Sequence, residues 1–530
     1  MATQSLTTAE IDLEELAAEV NAANAVGMAP AVWARRQPDK VAVYQSSGAS
    51  LTYAELNAGA NRLARMFREA GLVEGDAMAL VCTNRVEFVT AFFGAFRAGL
   101  RITPVNWHLT ADEIAYIVQD CDAKALLVDV KVPAGAEAAS VCPDLVLKVS
   151  LGGPLPGFVD FAAVAPGIDG SDIPDPVRGM NMLYTSGTTG RPKGVYKPGF
   201  VPPPFDAEEY GNSDVHLCTG PGYHASPLLG DIRRPITNGI TTVLLEKWDS
   251  EEVLQLIERY RVTRGHFVPI MFQRLLALPE EVRAKYDISS ISRITHGAAP
   301  ISVEVKRRTM EWLGPVLSEY YAGSEGGVGF IVSAEEWLAK PGTVGRMPFP
   351  GAAKILDSDG NELPRGVPGD IYLSLEGHSG FEYWKAAEKT QKARRGNYFT
   401  MGDVGYFDED DYLFLTGRDA ETIIAGGVNI YPQEVDNELI KHPAVEDSCT
   451  IGVPHDERGE EVRSVIQLRP GHSPSEDLKA DILAFAAERV AKFKMPRGID
   501  FAETLPRSEA GKIQRNKVRA PYWEGRSRQI

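Results

Sequence analysis

The chain has 530 residues, 44% hydrophobic and 24% charged. That is a globular balance, in a chain too long for one ordinary domain and suited to two or three. A formal net charge of −17 excludes a general affinity for nucleic acid or an anionic membrane, so any polyanionic ligand needs a local site built against the overall field.

From the N-terminus, Glu10, Asp12, Glu14 and Glu15 replace the basic start and apolar core of a signal peptide. From about Leu51 to Ala70 the spacing predicts a helix. Thr52 is its N-cap and Glu55 the third position of a capping box. Ala77–Cys82 predicts a buried strand, Val86–Ala98 a helix, and Ala123–Asp129 another strand. The alternation continues to about residue 300, with a strand at Thr241–Glu246 and a helix near Glu251–Arg259. Such alternation implies parallel sheets flanked by helices.

Beyond about residue 340, turns such as Asp357–Asn361 and Asp408–Asp411 separate short strands, giving a β-rich section. The last 110 or so residues mix strands, such as Val462–Leu468, with a helix near Leu478–Ala491. The expectation is an α/β fold with a large N-terminal domain over 1–419 and a small mobile α+β domain over 420–530. No apolar run approaches the roughly 20 residues that span a bilayer. The five cysteines have no metal-ligand spacing and read as reduced thiols, so the expected location is the cytoplasm.

The strongest chemical signal is Tyr184-Thr-Ser-Gly-Thr-Thr-Gly-Arg-Pro-Lys-Gly-Val195. Gly187, Gly190 and Gly194 open backbone conformations closed to other residues. Thr185, Ser186, Thr188 and Thr189 add hydroxyl donors, and Lys193 adds a mobile charge. Amides, hydroxyls and one lysine on a loop suit nucleotide phosphates. The spacing is not that of a Walker loop, which counts against a P-loop kinase or ATPase.

On these twelve residues the chain resembles the adenylate-forming enzymes, which include acyl-CoA synthetases, nonribosomal peptide adenylation domains and luciferases. The likeness runs from about Leu51 to Arg519 and is nearest to bacterial acyl-CoA synthetases. It implies ATP, Mg²⁺ and coenzyme A as reactants and cofactor, and a small-molecule carboxylic acid as substrate.

It also implies roles for further residues. In Tyr321-Ala-Gly-Ser-Glu325 the aromatic ring would pack on adenine, Ser324 would meet a phosphate and Glu325 would hold Mg²⁺. Ala322 and Ser324 depart mildly from the usual Gly and Thr, and Gly323 would border the acyl and coenzyme A passage. Gly297, Ala298 and Ala299 would lie beside adenine. Asp403, in Met401-Gly-Asp-Val-Gly-Tyr406, would bind the ribose hydroxyls, and Arg418 the nucleotide. His224, ending Pro221-Gly-Tyr-His224, would line the acyl pocket. Lys512, in Leu505-Pro-Arg-Ser-Glu-Ala-Gly-Lys512, would be the catalytic lysine, and Gly426 and Gly427 would line the pantetheine tunnel.

The resemblance has one clear departure. The family's hinge residue, normally Asp or Lys, is Ala420 here. Either Ala420 turns well enough between Asp419 and Glu421, or the second half-reaction is impaired and the adenylate passes to a separate thioesterifying enzyme or carrier. Arg233-Arg234 is either a surface pair or part of the recognition of an oxygenated acid. The segment Lys197–Asp214 would shape access. The expected acid is hydrophobic, and bulky or polycyclic rather than short. A homodimer is the prior for assembly.

Overall fold

The computed structural model describes residues 13–185, 192–199, 204–205, 213–378, 380–418, 421–425, 428–455, 459–508 and 511–524. Among them, the strands form five sheets. The largest has eight strands, in the order Gly326–Val332, Leu317–Gly323, Arg293–His296, Arg264–Phe267, Val215–Cys218, Thr241–Leu244, Val41–Gln45 and Ser50–Thr52. Its six inner strands are mutually parallel, and an antiparallel strand closes each edge. A second sheet, of six strands, is parallel throughout and includes Ala77–Val81 and Ala123–Asp129.

Two helices fill the space between these sheets. Tyr53–Glu69 starts where expected: Thr52 accepts from the Glu55 amide, and the Glu55 carboxylate accepts from the Thr52 amide. Leu51 and Thr52 themselves belong to the edge strand Ser50–Thr52, where they stand opposite Val43 and Val41 before the helix begins. Val86–Arg97 is apolar on nearly all sides, which fits a helix covered from every direction. Its Phe88, Phe92, Phe93 and Phe96 join one core with Met78 and Leu127 of the smaller sheet and Val43 and Leu244 of the larger.

The β-rich section is a seven-stranded sheet, and the Asp357–Asn361 and Asp408–Asp411 turns lie where expected. From residue 421 onward the described chain builds its own five-stranded sheet, with Val445–His455 and Gly459–Leu468 as the long central hairpin. Helices Pro432–Leu439 and Glu476–Ala487 pack on it through Val435, Leu439 and Ile482. The second helix ends four residues short of the sequence expectation. Among the described residues, no helix is long and apolar enough to cross a membrane.

Candidate active site

In a parallel sheet, the carboxyl ends of the strands open onto the crevice where ligands bind. Here Val215–Cys218, Arg264–Phe267, Arg293–His296 and Leu317–Gly323 are parallel neighbours. Their carboxyl ends lead to the segment around His224, to Val268, to Gly297 and to Tyr321.

At the first of these, the chain turns through Pro221–His224 into a π-helix, Pro227–Arg233. Such a wide turn exposes or redirects backbone groups and is frequent at functional sites. The His224 imidazole is pushed down to about 4, by burial first and then by the Lys512 ammonium, so it is neutral at pH 7. Among the described residues its Nε2 is buried without a hydrogen-bond partner.

At the third, Ala298 has φ 65°. A left-handed non-glycine residue costs about 1 kcal/mol or more and commonly marks a ligand-facing turn. Gly297 is fixed by close approach: a Cβ there would lie 2.6 Å from Tyr320 Cε1.

At the fourth, Tyr321 turns away from the π-helix toward the β-rich section. Its hydroxyl donates to Asp403 Oδ2 at 3.0 Å, and Arg418 Nε pairs with Asp403 Oδ1 at 2.9 Å. Register explains the pair, because Asp403 and Arg418 are cross-strand partners. Burial and then Asp403 raise the Tyr321 hydroxyl well above its ordinary range, so it stays a donor. Each carboxylate oxygen keeps a further lone pair for another donor.

Glu325 follows on the next turn. Tyr383, which the sequence did not single out, donates its hydroxyl to Glu325 Oε1 at 2.9 Å. The Lys193 ammonium lies 5.5 Å from the centre of the Tyr383 ring. Lys193 pairs across a hairpin with Thr185. Ser186, Gly187, Thr188, Thr189 and Gly190 between them lie outside the described residues, as do Ala420, Gly426 and Gly427. Ala322 is exposed on its strand, and Ser324 is half-buried in the turn before Glu325. Ala299 is half-buried, following the exposed Ala298.

Lys512 reaches this site from the far end of the chain. The segment Arg507–Ile513 closes on itself: Ser508 donates to the Lys512 carbonyl at 2.8 Å, and Gly511 donates to the Ser508 carbonyl at 2.8 Å. Gly511 adopts φ 74° and packs so closely that a Cβ would lie 2.5 Å from Ile270 Cγ2. The Lys512 ammonium is pushed down to about 8, by burial and then by Arg418. Asp403, Glu421 and Glu325 pull the other way. Lys512 thus shares one electrostatic environment with Arg418, Asp403, Glu325 and His224.

Arg233 corrects the expectation of a surface pair. It is only 6% exposed, pushed down to about 10 by burial and then by Arg178, and its guanidinium lies 5.8 Å from the Phe96 ring centre. The half-buried Lys197 is pushed down by burial first, with Glu325 pulling the other way and Arg233 adding to the lowering. Sequence reading missed Lys197 and Tyr383 as site residues because neither stands in a recognisable motif. Among the described residues, no three His, Cys, Asp or Glu side chains group as metal ligands would.

Comparisons with known proteins fit this geometry. The family model described as AMP-binding enzyme matches residues 31–379, and the one described as AMP-binding enzyme C-terminal domain matches residues 434–512. The chain is similar to a fatty acid–acyl-carrier-protein ligase, ScoC, of Streptomyces coeruleorubidus, with 29% identity over 94% of this chain and 96% of that one. It is 31% identical to a feruloyl-CoA synthase of an Amycolatopsis species, over 94% of this chain and 99% of that one. Among solved structures it resembles the anthranilate CoA ligase AuaEII in complex with anthranoyl-AMP. That match has a TM-score of 0.82 and 25% identity, covering 93% of this chain and 97% of that one.

Proposed function

The chain belongs to the AMP-binding enzyme family, and from that membership we propose that it joins a hydrophobic carboxylic acid to ATP, releases pyrophosphate, and passes the acyl group to the thiol of coenzyme A. The observation that carries this reading is the convergence of Lys512 with Arg418, Asp403, Glu325 and His224, residues spread over nearly 300 positions of sequence.

The chemical problem is electrostatic. A carboxylate must approach the α-phosphate of a polyanion, and charge develops on the bridging oxygen as pyrophosphate departs. Positioning and charge neutralisation supply most of what such an in-line displacement needs. Lys512 and Arg418 bring positive charge to the reacting end. Asp403, held by Tyr321 and Arg418, offers paired acceptors for ribose hydroxyls. His224 is neutral, so it takes up space beside the acid without a charge that would draw its carboxylate away from phosphorus.

Glu325 fits Mg²⁺ binding. Mg²⁺ uses one or two carboxylates together with phosphate oxygens rather than a protein cage, and Tyr383 holds this single carboxylate in place. When bound, the ion would neutralise phosphate charge, while Lys193 approaches from the phosphate-binding hairpin.

The fate of the adenylate is the finer point. Coenzyme A is the favoured acceptor. Ala420 at the hinge position favours a second reading, in which the thiol belongs to a carrier protein or a separate enzyme. The test is to incubate the full chain with ATP, Mg²⁺ and a panel of acids, with and without coenzyme A, and to follow AMP, acyl-adenylate and acyl-CoA by mass spectrometry. Acid-dependent AMP and acyl-CoA are expected. ADP in place of AMP would defeat the adenylation reading. Adenylate that accumulates despite coenzyme A would transfer the second step to another acceptor.

A further inference from the structure

Beside His224 lies a buried polar chain that the reaction above leaves unused. His216 Nε2 meets Asp231 Oδ1 at 2.9 Å, and His266 Nδ1 approaches Asp231 Oδ2 at 3.4 Å. His266 Nε2 lies 3.1 Å from the Tyr320 hydroxyl. That hydroxyl is 2.5 Å from Ser226 Oγ. His216, Asp231 and His266 are buried, whereas Tyr320 and Ser226 are half-buried. The chain therefore starts in the interior and ends at a reachable hydroxyl two residues past His224.

A buried helical carboxylate bracketed by two strand histidines is a poor device for stability alone, because apolar side chains of similar volume do that work at lower cost. What the arrangement does achieve is orientation. Successive side chains on a strand point to opposite faces. Tyr321 therefore faces Asp403 on the nucleotide side, while Tyr320 faces the π-helix. There its ring lies hard against Gly297, and its hydroxyl is fixed by His266 on one side and Ser226 on the other. Asp231 anchors the far end from within the π-helix itself.

Ser226 is the terminus. A hydroxyl has one hydrogen and two lone pairs. Its contact with Tyr320 uses either the hydrogen or one lone pair, so at least one lone pair of Ser226 Oγ remains to accept a donor in either polarity of the chain. Around it, Ala225 and Leu229 are half-buried and pack against the core, which gives the neighbouring wall an apolar character.

We propose that Ser226 and Tyr320 form the hydrogen-bonding end of the acyl pocket, so that the acid activated has an apolar body carrying a hydroxyl or amino substituent. Ser226 is the group that touches the substituent. Tyr320, His266, Asp231 and His216 are positioning residues. The inference rests on the adenylation reading and on His224 flanking the acyl end.

The test uses ATP–pyrophosphate exchange by the full chain on matched acids: benzoate and 4-hydroxybenzoate, cinnamate and 4-hydroxycinnamate, decanoate and 10-hydroxydecanoate. A site built to bond a hydroxyl discriminates strongly against the analogue lacking it. At least one substituted acid is expected to exceed its parent by about tenfold or more in kcat/KM. Ser226→Ala and Tyr320→Phe are each expected to bring that ratio toward one. The ratio is taken within one protein sample, so partial misfolding of a variant does not move it. Equal or better use of every parent acid, or a ratio that survives both substitutions, would overturn the inference. Exchange with none of the acids would instead count against the adenylation reading itself.

Discussion

Lys512 is the side chain on which the proposed chemistry depends most. It is delivered by the C-terminal part of the chain to a site whose other described members lie on the large sheet and the β-rich section. Lys512→Ala is expected to slow adenylation by at least about a hundredfold, the scale of losing one preorganised charge stabiliser. Pyrophosphate exchange within a few fold of the wild type would remove Lys512 from the mechanism. Its acidity gives an independent check. The ammonium is held down at about 8, and the cation is the active form. Raising the pH through about 8 therefore removes charge, and kcat/KM for adenylation should fall on the alkaline side. Bound phosphates favour the charged form, so the corresponding limb in kcat should lie at higher pH. Lys512→Arg stays protonated and should lose the alkaline limb whatever its absolute rate. A limb unchanged in that variant would assign it to another group. His224, neutral down to about 4, contributes no acid limb near neutrality.

The element that places Lys512 is the tight turn Arg507–Ile513, and its docking point is Gly511. An added Cβ meets two objections there: φ is 74°, and Ile270 Cγ2 stands 2.5 Å away. The backbone cost alone is about 1–2 kcal/mol. Gly511→Ala should therefore weaken adenylation by roughly five- to thirtyfold if that cost falls wholly on the docked arrangement. Thioester formation from supplied acyl-adenylate should suffer less, because that step does not use the docked lysine. Equal losses in both half-reactions would point to general misfolding of the turn. The elements themselves were largely legible in the sequence. Alternation and capping placed the helices Tyr53–Glu69 and Val86–Arg97 and the strand Ala123–Asp129, because each is set by local periodicity. Glu325, Asp403 and Lys512 were singled out through the resemblance of their short motifs to those of the adenylate-forming enzymes. The polar chain from His216 to Ser226 was not legible, because its members sit on three strands and a π-helix that only the tertiary fold brings together, and because a π-helix breaks the periodicity that would have faced Asp231 inward. Tyr383 escaped for a similar reason. It reaches Glu325 through its pairing with Val195 on a neighbouring strand, a register that local sequence does not encode.

At the scale of the whole molecule, the segment that carries the lysine is tied to the described residues that follow position 420. Arg515, three residues past Lys512, pairs with Asp436 at 2.7 Å and Glu421 at 3.0 Å and donates to the Thr450 carbonyl at 2.7 Å. Asp436 lies on the helix Pro432–Leu439 and Thr450 on the strand Val445–His455, and Glu421 immediately precedes the Ile423–Ala425 strand of the same sheet. Leaving a buried guanidinium without its carboxylates costs about 3–5 kcal/mol, so the Lys512 turn cannot peel away alone. It moves with its sheet or not at all. A second half-reaction that needs Lys512 out of the site must therefore rotate the entire C-terminal body about the link near Ala420, and hinge rotation requires backbone torsions free to change. Ala420→Pro fixes φ near −65°. It should leave adenylate formation within about threefold and lower thioester formation by at least about tenfold, measured as separate half-reactions on the same preparation. Loss of adenylation in that variant would mean that the imposed φ forbids the docked arrangement as well. Thioester formation at the wild-type rate would mean that the coenzyme A step proceeds without rotation at residue 420, and the passage for the thiol would then have to be sought between the two bodies as they stand.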